Sequence, residues 1–415
     1  MNVKSLVWAK EPELIALRRF FHQHPEIGGQ ELATSQKIDQ ELTAAGIWHQ
    51  PVPGGGMVAV IQGAGEGRTL LLRTDIDALP MEESPTNLKQ QKAVCSQNLG
   101  AAHTCGHDGH MAMLLEAAKL LQEHRGEFLG RVVLAFESAE ETGNGILPLM
   151  DELMKLGRID GSWGIHLLAE LPVGKISVDP GPRTSTPIHF GVKIIGKGGH
   201  ASRPDQCVNP LDVFTDIYQG TNHLLAVEAS PFYPVKHGIG VINYGTVTNI
   251  IPDTLTYQGS FRVLHFDELG VPLRAAYFKM VDAICGRYGA RYEIFKDLPM
   301  DMAVVNDPAC CQLAERAISK VLGDQFLCSC HPWFASESMG IIQKHWPGVF
   351  AFVGIANKEL GSGAAHHSPY FDIDERALLY GVAATVQYTL DFLEQTTPVD
   401  HPWPAKTPAQ MLGMA

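Results

Sequence analysis

The residues best suited to chemistry fall in five short segments. LLLRTDIDALP carries Asp75 and Asp77, and HTCGHDGH carries His103, Cys105, His107, Asp108 and His110. VVLAFESAEE ends in Glu140 and Glu141, WGIH ends in His166, and GAAHHSP holds His366 and His367. Each segment has an ordinary reading by itself: a buried cysteine beside a hydrogen-bonded histidine, a solvated acidic pair, a satisfied core histidine, a polar loop. Together they offer thiolate, imidazole and carboxylate groups, mostly after apolar runs, and that combination points to a metal centre. Thiolate and imidazole are borderline-soft donors suited to Zn2+, and the carboxylates also admit Mn2+, Co2+ or Ni2+. Four or five such donors exceed what one catalytic ion needs, because it must keep a position open; two divalent ions ~3.5–4 Å apart use the surplus. Such a pair activates water against an amide carbonyl. Of the neighbours Glu140 and Glu141, one can ligate while the other takes the water proton and passes it to the leaving nitrogen. Spacing alone leaves open which does which.

These segments need a scaffold that brings them to one place. The first third alternates helical and strand patterns: helices over 11–22, 34–45, 109–124 and 146–156, and apolar strands at 57–61, 69–72 and 131–136. This alternation predicts an α/β domain with a mostly parallel sheet and helices on both faces. Ligands of such sheets sit beyond the carboxyl ends of the strands, so loops on one rim converge. After Pro182 the pattern changes to strand 188–195, helix 211–226, strands 237–245 and 254–263, helix 273–287 and strand 291–295. That β-α-β-β-α-β order predicts an inserted α+β, ferredoxin-like domain. The helix-strand pattern resumes from Asp307, with a strand at 350–353 and a helix at 375–394. The expected organisation is a catalytic domain in two parts, 1–184 and 300–395, around a domain at 185–299, followed by a Pro-rich tail, 396–415, expected to be poorly ordered.

With 415 residues, the chain is too long for one ordinary core. Its 45% hydrophobic and 19% charged residues are those of a globular protein. A net charge of −13 argues against a nucleic-acid partner, which would need basic patches. No stretch approaches the ~18 apolar residues of a membrane span, and the N-terminus is broken by charges where a signal peptide would be apolar. The 8 cysteines show no zinc-ribbon spacing, and Cys310-Cys311 and Cys328-x-Cys330 read as packing groups, so a reducing cytoplasm is expected. There is no GxSxG elbow, Walker loop or HExxH helix.

LRRFFHQHPEIGGQE, LLLRTDIDALPMEE, HTCGHDGHMAMLLEAAKLL, AEETGNGI, GIHLLAELPVGKI, GKGGHASRP, NIIPD and HHSPYFDIDERAL, in this order, resemble the motifs of the M20 family of metallopeptidases and amidohydrolases. The likeness is to its aminoacylase-like branch of N-acyl-amino-acid amidohydrolases and plant auxin-conjugate hydrolases, and it runs from about residue 12 to 395. It implies two divalent ions per subunit, held by Cys105, His107, Glu141, His166 and His367, with Glu140 as general base. His367 matches rather than His366 because it directly precedes Ser368-Pro369. Asp77 takes the place of an orienting carboxylate behind the ligands. His200 and Asn249 match substrate-contacting positions, and His200 would donate to the oxyanion. The inserted domain resembles a lid through which the family forms homodimers. Two departures stand out: Glu137-Ser138-Ala139 where relatives usually have Gln-Pro-Ala, and Ser336-Glu337-Ser338-Met339 where they have Ser-Glu-Asp-Phe. Neither removes a ligand.

The expected function is a metal-dependent amidohydrolase acting on a small N-acyl amino acid, an amino-acid conjugate or a short peptide. A dipeptidase or carboxypeptidase with the same centre is the second reading, and a non-catalytic binding module the third. His22 and His24 read as structural groups, His110, one turn after His107, either as a support behind the ligands or as a helix cap, and Arg262 is a candidate for a substrate carboxylate.

Overall fold

A computed structural model describes residues 1–397 and 399–414. The chain divides into two compact units: Met1–Arg183 with Val304–His331 and Ser338–Ala405, and Thr184–Ala303 with Pro332–Glu337 and Lys406–Ala415.

The first unit is built on a seven-stranded sheet in the order Trp48–Pro51, Met57–Gln62, Arg131–Glu137, Thr69–Asp75, Gly161–Pro172, Gly348–Ala356, Ile176–Ser177. The central four strands run parallel, and the pairings at both edges are antiparallel. Central parallel strands are covered on both faces and so are apolar without alternation; Leu70–Leu72, Val132–Phe136 and Val349–Val353 are all buried. Adjacent residues of the Gly161–Pro172 strand show both covers. Trp163 stacks on Tyr388 of the Arg376–Leu393 helix at 4.4 Å between ring centroids. Gly164, pointing the other way, faces Phe350 and Met339, the first residue of the Met339–His345 helix.

In the second unit the strands Val235–Asn243, Thr254–Val263, Thr186–Ile195 and Arg291–Pro299 form one antiparallel sheet in that order. The helices Pro210–Glu228 and Val271–Tyr288 complete a β-α-β-β-α-β sandwich. Asn209 caps the first of these helices through its side chain, with Pro210 at its start, and Gly289 in left-handed backbone ends the second. The core is aromatic: Phe190, Tyr257, Phe261 and Tyr277 are buried, and the two tyrosine hydroxyls satisfy each other at 2.9 Å.

Three features depart from the sequence expectations. His166 lies inside a strand, Gly161–Pro172, that the sequence pattern did not lead one to expect. The strand at Trp48–Pro51 carries no strong sequence pattern, whereas the Pro308–Val321 helix follows the pattern that resumes at Asp307, with Cys310, Ala314, Ala317, Ile318 and Val321 buried at helical spacing. The Pro-rich tail is ordered at Pro408–Met411, a short helix whose capping box joins Thr407 and Gln410 and whose Met411 is buried. Among the described residues no helix is long and apolar enough to cross a membrane.

Candidate metal centre

The site forms where the central strands of the first unit end. The Thr69–Asp75 strand leads to Asp77, and a bridge between Leu79 and Ala102 sets the His103–His110 segment beside it. Gly106 precedes the His107–Glu123 helix with φ 98°, a left-handed turn that glycine adopts without strain. That turn puts His107 at the first helical position, with Cys105 just before it. Beyond the Arg131–Glu137 strand, Ala139 takes φ 50°, and Glu140–Thr142 form a single 3-10 turn. A left-handed alanine is uncommon; here its N–H donates to buried Glu31 at 2.6 Å. His367 is also left-handed, φ 60°, and its N–H donates to the Thr104 carbonyl at 3.0 Å, which fastens its loop next to Cys105. His166 stands two residues past Gly164, the last residue of its strand to pair with the Thr69–Asp75 strand, so that edge has opened where the imidazole projects.

These groups meet. Donor atoms of Cys105, His107 and His166 lie within 4.8 Å of one another, as do those of Cys105, Glu141 and His367, and those of His107, Glu140 and Glu141. Cys105 Sγ is 3.6 Å from His166 Nε2. Glu141 Oε1 is 3.3 Å from His367 Nε2 and 3.9 Å from His107 Nε2.

Hydrogen bonds outside the cluster orient the donors. His107 Nδ1 faces the Asp77 carbonyl at 2.9 Å and Asp77 Oδ1 at 3.2 Å, and His166 Nδ1 faces the Leu167 carbonyl at 2.7 Å. Both rings therefore carry the proton on Nδ1 and turn Nε2 inward, the arrangement of metal-bound histidines. Burial holds His166 well below the usual imidazole range, helped by neighbouring His110 and His366, so it is a neutral donor. Burial opposes ionisation of Glu141, but His367 and His107 outweigh it and lower its pKa. The Cys105 thiol is pushed far up by burial despite the nearby His107. Such a thiol ionises only beside a cation, and a coordinating divalent ion deprotonates a thiol outright. The donor set thus fits divalent metal.

A further trio within 4.8 Å, Asp75, His107 and His110, belongs to the support. His110 Nδ1 bonds Asp75 Oδ1 at 2.7 Å and its Nε2 accepts the Leu167 N–H at 2.9 Å. His366, whose ring centroid is 5.4 Å from that of His166, accepts the Ala169 N–H on Nε2 at 3.2 Å. His22 is a structural residue, buried between Asp108 at 2.8 Å and Glu83 at 2.9 Å. His24 bonds the Phe20 carbonyl at 2.8 Å. His103, buried and pushed down to about 3 by burial, has no hydrogen-bond partner for either ring nitrogen among the described residues.

The second unit holds the remaining candidates. Gly199–His200 pairs with Ile250–Ile251, and Ala201 N–H bonds the Asn249 carbonyl at 3.1 Å, so His200 and Asn249 are neighbours on an exposed edge. His200 Nδ1 accepts from Ser202 N–H at 3.1 Å, which leaves its proton on Nε2. Arg262 is half-buried and donates to Ser336 at 2.7 Å; burial lowers its pKa.

Reading the sequence missed the residues that hold the ligand segments. Glu31 was visible only as the end of the HPEIGGQE motif. Lys92 had no signal, yet it donates to Glu83 at 2.7 Å and to the carbonyl of Pro369, beside the His367 loop, at 2.9 Å. Cys310 and Cys311 are buried, with burial pushing both to about 12, as packing groups require.

Residues 71–391 match the profile described as Peptidase family M20/M25/M40. The chain is 34% identical over 379 residues to IAA-amino acid hydrolase ILR1-like 4 of Arabidopsis thaliana, covering 89% of this chain and 83% of the relative. It is 32% identical over 397 residues to Thermostable carboxypeptidase 1 of Saccharolobus solfataricus, covering 94% and 98%. A Bacillus subtilis protein whose crystal structure is described as that of a dinuclear metal binding peptidase superposes with a TM-score of 0.79 at 28% identity, over 93% of this chain and 99% of that one.

Proposed function

The chain belongs to peptidase family M20/M25/M40 and is a metallohydrolase of amide C–N bonds; on that premise we propose that it cleaves N-acyl amino acids or amino-acid conjugates, with Glu140 as general base. The observation that carries this reading is the meeting of Cys105, His107, Glu141, His166 and His367 with Glu140 beside them. We assign those five as ligands of two divalent ions, Zn2+ or Mn2+, with Co2+ or Ni2+ as substitutes. When bound, such a pair supplies the Lewis acidity that polarises an amide carbonyl and acidifies water. Glu140 takes the water proton and delivers it to the leaving nitrogen; the Ser338 N–H, 3.2 Å from its Oε1, steadies the carboxylate. Asp77 fixes the His107 ring.

His200, with its proton on Nε2, is the donor to the oxyanion, and Asn249 and Arg262 contact the substrate, Arg262 at its carboxylate. Residues 185–299 serve as lid and dimerisation domain of a homodimer, residues 1–184 and 300–395 as the catalytic domain, and the enzyme works in the cytoplasm. The likeness to a carboxypeptidase at 32% identity supports a second reading, removal of a C-terminal amino acid from a short peptide.

Metal analysis of the purified protein followed by a panel of N-acetyl amino acids, amino-acid conjugates and free dipeptides separates the readings. Turnover confined to dipeptides overturns the first, and failure to take up any divalent ion overturns both.

A further inference from the structure

We propose that Arg73, Glu137 and Ser338 form a positioning cluster that holds the Glu140 carboxylate, and that across positions 137 and 338 the cluster works with one acid, at either place, and not with two or none. The proposal rests on the reading of Glu140 as general base. Glu137 and Ser338 are 201 positions apart in sequence, but their side chains touch. Ser338 Oγ donates to Glu137 Oε1 at 2.7 Å. Arg73 Nε donates to Glu137 Oε2 at 2.8 Å, its Nη2 to Ser338 Oγ at 2.8 Å and its Nη1 to Asp75 Oδ2 at 3.1 Å. Arg73, Asp75, Glu137 and Ser338 are all buried.

From this cluster a path of bonds leads to each side of the centre. On one side, the backbone N–H of the same Ser338 reaches Glu140 Oε1 at 3.2 Å, so whatever fixes Ser338 aims the base. On the other side, Asp75 passes through His110 to the Leu167 N–H, on the residue after His166. A buried guanidinium needs anionic partners, and a buried carboxylate needs its hydrogen bonds filled. Asp75 and Glu137 together supply the charge that Arg73 needs, so position 338 must be a neutral donor, because a third acid there would sit against Glu137. With glutamine at 137, the same site would take aspartate at 338: the carboxylate would face Arg73 from the other side and accept from the glutamine amide. The two positions should therefore substitute for each other as a pair and not singly.

The test is a double-mutant cycle on the full-length, metal-supplemented protein, with Glu137→Gln, Ser338→Asp and the combination. An N-acetyl amino acid turned over by the parent is the substrate. Hydrogen–deuterium exchange of the peptide covering residues 338–345 is read in parallel. Each single change should lower kcat by ~10-fold or more with KM within about 2-fold, and should speed exchange of that peptide; the double variant should return both to near the parent. A general structural loss would lower melting temperature without this kcat-against-KM pattern and without recovery in the pair. If Ser338→Asp does not fold, the parent, Glu137→Gln and the double variant decide the matter. A double variant no better than Glu137→Gln in exchange and kcat overturns the proposal. If the parent hydrolyses no amide, the proposed function fails, and the exchange data alone still decide whether the two positions form one unit.

Discussion

Asp77 Oδ2 accepts the backbone N–H of Glu141 at 3.0 Å, while its other oxygen lies 3.2 Å from His107 Nδ1. One buried carboxylate thus orients two proposed ligands that are 34 positions apart in the chain (141 − 107). Removing such an outer partner typically costs 10–100-fold in metal affinity or activity. Asp77→Ala should weaken metal binding by that order, seen as a lower concentration of competing chelator needed to strip the protein. Unchanged affinity would mean that the backbone carbonyl of Asp77 alone fixes His107.

Glu140 and Glu141 are adjacent, but Glu141 Oε1 lies 3.3 Å from His367 Nε2 and 3.9 Å from His107 Nε2, while Glu140 Oε1 accepts the Ser338 N–H at 3.2 Å. Glu140→Gln should therefore retain the parent's metal content and lose hydrolysis, by ~10²–10⁴-fold in kcat, the range for a positioned general base. Elemental analysis and initial rates on the same preparation check both halves. Near-full turnover in this variant would remove Glu140 from the mechanism.

How far these roles were legible in the sequence depends on the kind of signal. The parallel central strands announced themselves as unbroken apolar runs such as Leu70–Leu72, and the sandwich as a regular order of strands and helices. His166 was legible as a residue but not as a strand residue. Its segment carries Trp, Gly and His where a buried strand usually shows a β-branched run, and the parallel pairing of 162–168 with 348–354 is a long-range fact. Residue types alone left Glu140 against Glu141, and His366 against His367, undecided; only motif order separated them. The Lys92–Glu83–His22–Asp108 relay had no local pattern at all, because each of its bonds joins segments brought together by folding.

That relay makes stability depend on pH. Burial would raise the Glu83 pKa, but hydrogen bonds from His22, Lys92 and the Ser96 N–H outweigh it and hold it at about 2 against an ordinary 4.5. A depressed carboxylate stabilises the folded state above its unfolded pKa, and that stabilisation is lost as pH falls from about 4.5 towards 2. The shift corresponds to something on the order of 3 kcal/mol. Chelator-treated parent and Glu83→Gln should be compared by urea unfolding at pH 6 and pH 3. The variant should be less stable at pH 6, and the gap should narrow at pH 3. A gap that stays constant would show that Glu83 contributes through packing rather than charge.

Metal removal should act on stability as well as on rate. The proposed ligands come from separate segments of the first unit: the start of the His107–Glu123 helix, the turn after the Arg131–Glu137 strand, the Gly161–Pro172 strand and the loop before the Arg376–Leu393 helix. An ion that binds them when folded and not when unfolded stabilises by about 4 kcal/mol at a free concentration of 1,000 Kd. Chelation should lower the melting temperature by several degrees, and Mn2+ or Zn2+ should restore it. The size of the shift should grow with pH, because the Cys105 thiol, pushed up by burial, must give up its proton to bind. Cys105→Ser keeps the shape of the side chain but loses the thiolate, so its melting temperature should respond far less to added metal than the parent's. Differential scanning fluorimetry across a metal titration at pH 6 and pH 8 measures all of this. An equal response in parent and variant would place the ions somewhere other than at Cys105.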